Sequence, residues 1–203
     1  DIISSYINID IKILADFKRE RDIYNLMRLL ANRIGTRLDF TKLASLSGLS
    51  KPTVYNYIDL FEKTYILQRV PVAGTNPDKE IVKAQKIYFC DNGIAGTLNA
   101  MSSGTRFENA IFNQLRHHGT LQYYALKTGN EIDFILNGEI AFEVKESPDS
   151  RDLQKLNRMA AKLNVTKARP VSYTHLRAHD TSNHLVFRLL LEKWGGGGGG
   201  GGG

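Results

Sequence analysis

The chain has 203 residues, a formal net charge of +6 and a single cysteine. One cysteine excludes a disulfide framework and a cysteine-based zinc site, and it fits a reducing cytoplasm. No apolar run approaches the roughly 20 residues that a membrane-spanning helix needs, so we expect no membrane contact. The mildly basic balance permits a polyanionic partner without demanding one.

The two ends of the chain limit the part that we expect to fold. The sequence begins at Asp1 rather than at a methionine, and we expect a piece of a longer protein. It closes with nine glycines, which cannot bury a core. The stretch from Val171 to Lys193 resembles a translated sequencing adapter, so we expect residues 171–203 to be a non-native tail. The alternative is a metal site formed by its three histidines, His175, His179 and His184.

Residues 1–75 have the pattern of a helical domain. Apolar residues recur at helical spacing before Gly35, where the helix is predicted to stop; they are Ile23, Leu26, Met27, Leu30 and Ile34. A short helix then ends near Ser47. Ser50 is placed to cap a second helix, which has Pro52 in its first turn.

The two short helices have the spacing of a helix-turn-helix. Ala44 lies where the helices touch, Gly48 in the turn and Val54 on the core face of the second helix. Residues 65–70 alternate like a strand and would form a wing. The alternative is an ordinary helical hairpin. The candidate DNA-binding residues are all on the second helix: Lys51, Thr53, Tyr55 and Asn56.

Residues 76–104 are predicted to be a connector with a loop at 76–78 and a short strand at 86–90. A second domain follows at 105–170. Its pattern is a helix to about 117, a strand near 121–126, two strands around Asn137-Gly138 and a helix from about 150 to 163. Helix, three strands and helix predict an α/β core. The fold class is therefore α/β with an all-α, winged-helix N-terminal part.

The predicted hairpin around Asn137-Gly138 contains a test of strand register. A two-residue turn would place the apolar residues of the two strands on opposite faces of the sheet. It would also place Asp133 and Glu143 on opposite faces. An odd loop or a bulge puts both apolar sets on one face and Glu131, Asp133, Glu143 and Lys145 on the other. We predict the odd loop or bulge, because it serves both burial and chemistry.

The acidic residues have the pattern of a magnesium-dependent phosphodiesterase. Magnesium favours one or two carboxylates, and the metal ligands are predicted to be Asp133 and Glu143, with Glu108 as a third. Lys145, two residues from Glu143, is placed to orient a water molecule or to stabilise phosphoryl charge. Glu108 lies on an apolar helix stripe, where it would complete the site or hold Lys145. We assign Lys145 and Glu108 as the catalytic candidates and Mg²⁺ or Mn²⁺ as the cofactor. The alternative is a set of solvated charges on a sheet face.

These residues together resemble the C-terminal part of prokaryotic AAA-type ATPases that carry the domain known as DUF4143. The resemblance runs from about Tyr6 to Val165 and includes the segments 29–35, 48–54, 86–91, 107–109, 129–134 and 143–145. It implies a winged-helix domain followed by a restriction-endonuclease-like PD-(D/E)XK domain, a mixed sheet flanked by helices. The superfamily's motif positions match Glu108, Asp133, Glu143 and Lys145. The proline that precedes the acidic residue in that motif is absent here.

We expect a cytoplasmic, DNA-binding module with possible magnesium-dependent endonuclease activity. No Gly-x-x-x-x-Gly-Lys-Ser/Thr motif occurs, so ATP binding is expected only in a missing upstream ATPase domain, which would be a partner within the same protein. The alternative is a catalytically silent module that binds DNA or protein and regulates that ATPase. The sequence leaves the oligomeric state open.

Overall fold

The structure is a computed structural model, and it describes residues 20–74, 85–126 and 128–172. The predicted loop at 76–78, the three tail histidines and the glycine run lie outside the described residues. Within these ranges, twelve helices and strands make up a mixed α/β architecture, as predicted. No described helix is long and apolar enough to cross a membrane.

From residue 20 onwards, the N-terminal part contains the helices α1 (Glu20–Ala31), α2 (Phe40–Ser47) and α3 (Lys51–Lys63). Gly48 ends α2 with a left-handed φ of 70°, where a side chain would be strained. Ser50 caps α3 by accepting the N–H of Thr53, as predicted. The core face of α3 is buried, also as predicted; it consists of Val54, Tyr57, Ile58 and Phe61.

A small sheet and a short helix connect this part to the next. β1 (Leu67–Val70) pairs antiparallel with β2 (Lys86–Phe89). The sequence predicted no helix after β2, but α4 (Asn92–Leu98) begins there. The side chain of Asp91 accepts the N–H of Ile94, so the Asp-Asn-Gly sequence starts a helix instead of only ending a strand.

The C-terminal part begins with α5 (Ser103–Leu115), which carries Glu108. A four-stranded sheet follows, in the order β3-β4-β5-β6. Its strands are β3 (Leu121–Ala125), β4 (Glu131–Leu136), β5 (Ile140–Lys145) and β6 (Lys167–Ser172), and α6 (Ser150–Ala161) connects β5 to β6. β6 pairs parallel with β5 and was not predicted. It continues through Ser172, so its last two residues lie in the expected non-native tail.

Two hydrophobic clusters cover the two faces of this sheet. The first contains the α5 residues and also α1, α2 and α3, so one core continues across the predicted boundaries at 75 and 105. The second joins α6 to the sheet through Ile132, Ile135, Ala141, Leu156 and Met159. The sheet is therefore buried on both faces, which is why its strands are rich in apolar residues.

The β4–β5 hairpin confirms the predicted odd loop. Phe134 pairs with Phe142 and Leu136 with Ile140, which leaves a loop of three residues, 137–139. Asn137 and Gly138 both have positive φ, at 54° and 70°.

A β-bulge in β4 corrects the prediction that the apolar residues share one face. Gln122 pairs with Ile135 but Tyr124 with Ile132, so two residues of β4 lie opposite Tyr123. The two residues are Asp133 and Phe134. The extra residue reverses the alternation, and Ile132 consequently packs in the cluster beneath α6 instead of with Phe134.

Candidate active site

Charged side chains meet between β2, α5, the β4–β5 hairpin and α6. We call the five carboxyl groups the acidic cluster: Glu108, Glu131, Asp133, Glu143 and Asp152. Two ammonium groups lie among them, those of Lys86 and Lys145, and the charge of Lys155 on α6 also acts on Glu143 and Asp152. Five acids against three bases leave an excess of carboxyl groups, and three of the five have raised pKa values.

Lys86 is the most deeply buried charge of the site, with 1% of its surface exposed. Its Nζ donates to Oε1 of Glu131 at 2.9 Å and lies 3.8 Å from Oδ1 of Asp133. The ring of Tyr123 lies 5.4 Å away on another side of the ammonium group. Burial lowers the pKa of Lys86, but the charges of Glu108, Asp133 and Glu131 outweigh burial and raise it.

The carboxyl group of Glu108 is bound by Tyr88 on β2 and lies against Gly35. The hydroxyl of Tyr88 donates to Oε1 of Glu108 at 2.7 Å, and the Tyr88 ring stacks on Phe112. A Cβ on Gly35 would lie 2.8 Å from that same Oε1, so only glycine leaves room for the carboxyl group. Burial, followed by the charge of Asp133, raises the pKa of Glu108 to about 7.

Asp133 lies in the bulge of β4 and connects the two halves of the cluster. Its Oδ2 accepts the backbone N–H of Val144 at 2.8 Å, while its Oδ1 faces Lys86. The Asp133 carboxylate thereby takes the place of a backbone carbonyl as the acceptor for this amide, just beyond the Phe134–Phe142 pair. Burial raises the pKa of Asp133 in spite of Lys86 and the Val144 amide.

Glu143 has a buried oxygen that lacks a partner. The residue is 6% exposed, and its Oε2 makes no hydrogen bond within the part of the chain that the structure describes. Oε1 is 3.6 Å from Nζ of Lys145. Burial and then the charge of Asp133 raise the pKa of Glu143. A buried carboxylate oxygen without a partner is costly, so this is where a cation is most needed.

Lys145 is bound mainly to α6. Its Nζ donates to Oδ1 of Asp152 and lies near Glu143, and the hydrogen bond to Asp152 raises the pKa of Lys145. Asp152 also accepts the N–H of Asp149 in a capping box at the start of α6. Lys145 therefore contacts both Glu143 and Asp152, and Asp152 takes the place that we considered for Glu108.

The predicted site residues thus form two linked groups. Glu108, Glu131 and Asp133 lie around Lys86, whereas Glu143 and Lys145 lie towards Asp152. Among the described residues, no three acidic, histidine or cysteine side chains are arranged to hold a metal ion. The ligand set Glu108, Asp133 and Glu143 stays a prediction.

Sequence reasoning missed Lys86, Tyr88 and Asp152. The signal for Lys86 was a lysine inside the apolar run Lys-Ile-Tyr-Phe, since a buried lysine requires a partner. Tyr88 lies two residues after Lys86, and this spacing places both side chains on the same face of the strand. Asp152 lies three residues after Asp149, the spacing of a capping box.

The predicted DNA-binding residues lie at the N-terminal end of α3. Lys51, Tyr55 and Asn56 are exposed. Thr53 is half-buried, and its hydroxyl is hydrogen-bonded to that of Ser50 at 2.7 Å. Tyr55 is 50% exposed while its ring contacts Phe40 and the guanidinium group of Arg69.

The site and the fold define a mixed α/β protein with a buried acidic cluster at the junction of its two parts. Residues 1–105, just over half of the chain, match the family described as "Domain of unknown function (DUF8612)", and the chain belongs to that family. Residues 103–191 match "Domain of unknown function (DUF4143)".

These matches refine the resemblance stated from the sequence. DUF4143 is confirmed for the C-terminal part, while the N-terminal part matches a different family. The two matches meet at 103–105, where α5 begins. The second one also extends through 171–191, which we had expected to be non-native.

A curated relative is an uncharacterised protein from Methanocaldococcus jannaschii, 33% identical over 82 residues. The match covers 39% of this chain and 17% of that protein, so the chain spans only a small part of its relative. No solved structure matches the chain.

Proposed function

We propose that this chain is a DNA-directed, magnesium-dependent nuclease-like module of a larger ATP-binding protein. In this proposal the N-terminal part is a winged helix and the C-terminal part a PD-(D/E)XK domain with a restriction-endonuclease-like fold. The observation that carries the proposal is that Asp133 binds the Val144 amide between Glu143 and Lys145, while Oε2 of Glu143 is buried and makes no hydrogen bond to the described residues.

The chemistry of two carboxylates, Asp133 and Glu143, suits a hard divalent cation, although no third side chain among the described residues is arranged to join them. Carboxylate oxygens are the ligands that magnesium prefers, and the cluster has more carboxyl groups than ammonium groups. Asp133 and Glu143 would hold the ion, and Glu108 would add to the negative field. Bound magnesium would polarise the phosphate and lower the pKa of a water molecule.

The protein's own contribution is positioning and charge. Asp152 fixes the ammonium group of Lys145 next to Glu143, so a cation is held where phosphoryl charge would develop. The bulge places Asp133 against the Val144 amide, which sets the direction of its second oxygen. Burial excludes water and strengthens these interactions.

The nuclease proposal is tested on plasmid DNA with magnesium or with a chelator. We expect cleavage only with magnesium, and a loss of at least about a hundredfold in Asp133→Asn and Lys145→Ala. Lys162→Ala, which removes an exposed lysine at the end of α6, is the matched control and should cleave like the parent chain. Equal cleavage by the parent and both site variants would identify a contaminating nuclease and overturn the proposal.

The DNA-binding part is tested separately with a labelled duplex and a salt titration. Lys51 is exposed at the N-terminal end of α3, whereas Lys63 at the other end is paired with Asp59 at 2.8 Å. We expect Lys51→Ala to weaken binding and to reduce the slope of log K against log salt by about 1. Lys63→Ala should leave the slope unchanged. Equal effects of the two changes would argue against docking through the start of α3.

A catalytically silent regulatory module is the second candidate, and one observation favours it. The ammonium group of Lys86 already lies beside Glu131 and Asp133, so the site has an internal cation. In this case magnesium should change neither the melting temperature nor DNA affinity. A magnesium-dependent change in either would exclude this candidate.

A further inference from the structure

We propose that Lys86 is an internal counter-ion, which holds the acidic cluster together in the absence of a divalent cation and competes with that cation for Asp133. The inference rests on the proposed function, because it concerns the same metal site. It assigns a role to a residue that belongs to none of the predicted catalytic or metal-binding positions.

The burial of Lys86 is the first reason. Lysine is rarely buried without a partner, yet 1% of Lys86 is exposed. Its long side chain comes from β2, beside the four-stranded sheet, and its ammonium group reaches Glu131 at 2.9 Å and Asp133 at 3.8 Å. An ammonium group in this position replaces lost hydration with fixed carboxylate partners.

The balance of charge is the second reason. Lys145 is bound to Asp152 and Glu143, and its charge acts on Asp133 less than that of Lys86 does. Lys86 is the base that interacts with all three of these carboxyl groups. Removing its charge would leave buried acids without compensation, which strongly destabilises a fold.

Competition follows from the short distance between the ammonium group and Asp133. A divalent ion bound by Asp133 would lie close to Nζ of Lys86, and like charges at such a distance repel strongly in a buried site. The metal therefore has to displace the ammonium group or bind in spite of it. Metal affinity in the native chain would be weaker than the carboxylates alone would give.

The test compares the parent chain with Lys86→Met, which keeps most of the aliphatic length and removes the charge. Melting temperature is measured in chelator and in magnesium at matched ionic strength, and manganese binding is measured by calorimetry. We expect Lys86→Met to melt lower in chelator, to gain at least about twice the magnesium shift of the parent and to bind manganese at least about tenfold more tightly.

Lys63→Met is the matched control, because Lys63 is also paired with a carboxylate but is exposed on α3. It should reproduce the parent chain in both measurements. An equal gain in Lys63→Met would show a general charge effect and overturn the assignment.

The outcomes separate this inference from the proposed function. If the parent binds manganese and Lys86→Met binds it no more tightly, the counter-ion role is wrong and the metal site stands. If only Lys86→Met binds, the counter-ion role holds and the nuclease proposal for the native chain fails. If neither binds, both fail.

A double variant covers the case in which Lys86→Met does not fold in chelator. Folding of Lys86→Met upon addition of magnesium supports the inference directly. If magnesium does not restore folding, the double variant Lys86→Met/Asp133→Asn is tested. Its second change neutralises Asp133 and so removes one of the carboxylate charges that Lys86 no longer compensates. Recovery of the folded state supports the counter-ion role, and an unfolded double variant overturns it.

Discussion

Two ion clusters of this protein differ in burial and in balance. On the outer side of α3, Arg69 binds Glu62 and Asp59, and Asp59 also binds Lys63, so two bases meet two acids. The Lys63 side chain is 74% exposed and those of both acids are about one-third exposed. In the acidic cluster, five carboxyl groups meet three ammonium groups, those of Lys86, Lys145 and Lys155, and the Lys86 side chain is 2% exposed.

The difference lies in what each cluster contributes to stability. A balanced cluster in contact with water contributes little and needs no further partner. An unbalanced buried cluster costs stability, since its acids lose hydration and repel one another. Folding alone gives no reason to collect acids in this way. Buried acids with perturbed pKa values are therefore candidates for a functional site.

The largest effect is expected where the backbone touches the acidic cluster. Gly35 has a φ of +73°, and an added Cβ would lie 2.8 Å from Oε1 of Glu108. Gly35→Ala combines backbone strain with displacement of this carboxyl group from Tyr88, and we expect it to lower the free energy of unfolding by about 3 kcal/mol. Urea denaturation measures the change.

Gly48→Ala is the control for Gly35→Ala. Gly48 has nearly the same φ, +70°, but nothing lies within 4 Å of an added Cβ. We expect this change to cost only the backbone strain, about 1 kcal/mol. Equal losses at the two glycines would mean that the contact with Glu108 contributes nothing.

The next effect is a pH dependence that the balanced cluster should lack. The pKa of Glu108 rises from 4.5 to about 7 on folding. Because the pKa of Glu108 is higher in the folded state, the residue contributes stability that is fully present below the unfolded pKa of 4.5. This stability is lost as the pH rises through the folded pKa of about 7. After allowance for solvent screening of this part-buried group, the loss from Glu108 is about 1–2 kcal/mol.

Glu108→Gln should remove that part of the pH dependence. Urea denaturation in chelator at about pH 5 and about pH 8 should show a smaller loss for this variant than for the parent chain. Glu139→Gln, in the exposed hairpin loop, should keep the parent's loss. The assignment is wrong if Glu108→Gln retains the parent's full dependence.

Much of the fold could be predicted because local signals agree with it. Ser50 caps α3 where predicted, and the odd hairpin loop follows from placing apolar residues on a buried face. The bulge at Asp133 could not be predicted, since the register shift depends on how β4 meets β3. β6 was missed because its sequence overlaps the stretch that we set aside as adapter-like.

The candidate site was predictable only where its residues are close in sequence. Glu143 and Lys145 are two residues apart on one strand, and the structure brings them within 3.6 Å. Lys86 comes from a strand 45 residues before Glu131. No local pattern indicates that the Lys86 side chain on β2 reaches Glu131 on β4, so the position of its ammonium group depends on the tertiary fold.

The smallest effect is expected in the balanced cluster. Arg69 donates to Glu62 and Asp59 and its guanidinium group lies 5.8 Å from the Tyr55 ring centroid. Arg69→Met keeps the aliphatic packing, so we expect a loss of only about 1 kcal/mol, which decreases at high salt. Lys63→Met should cost less than about 0.5 kcal/mol, because Lys63 has one exposed partner. Urea denaturation at low and high salt compares the two. A loss at Arg69 larger than that at Gly35 would mean that the surface cluster, too, is under strain, and balance of charge would then no longer separate the two regions.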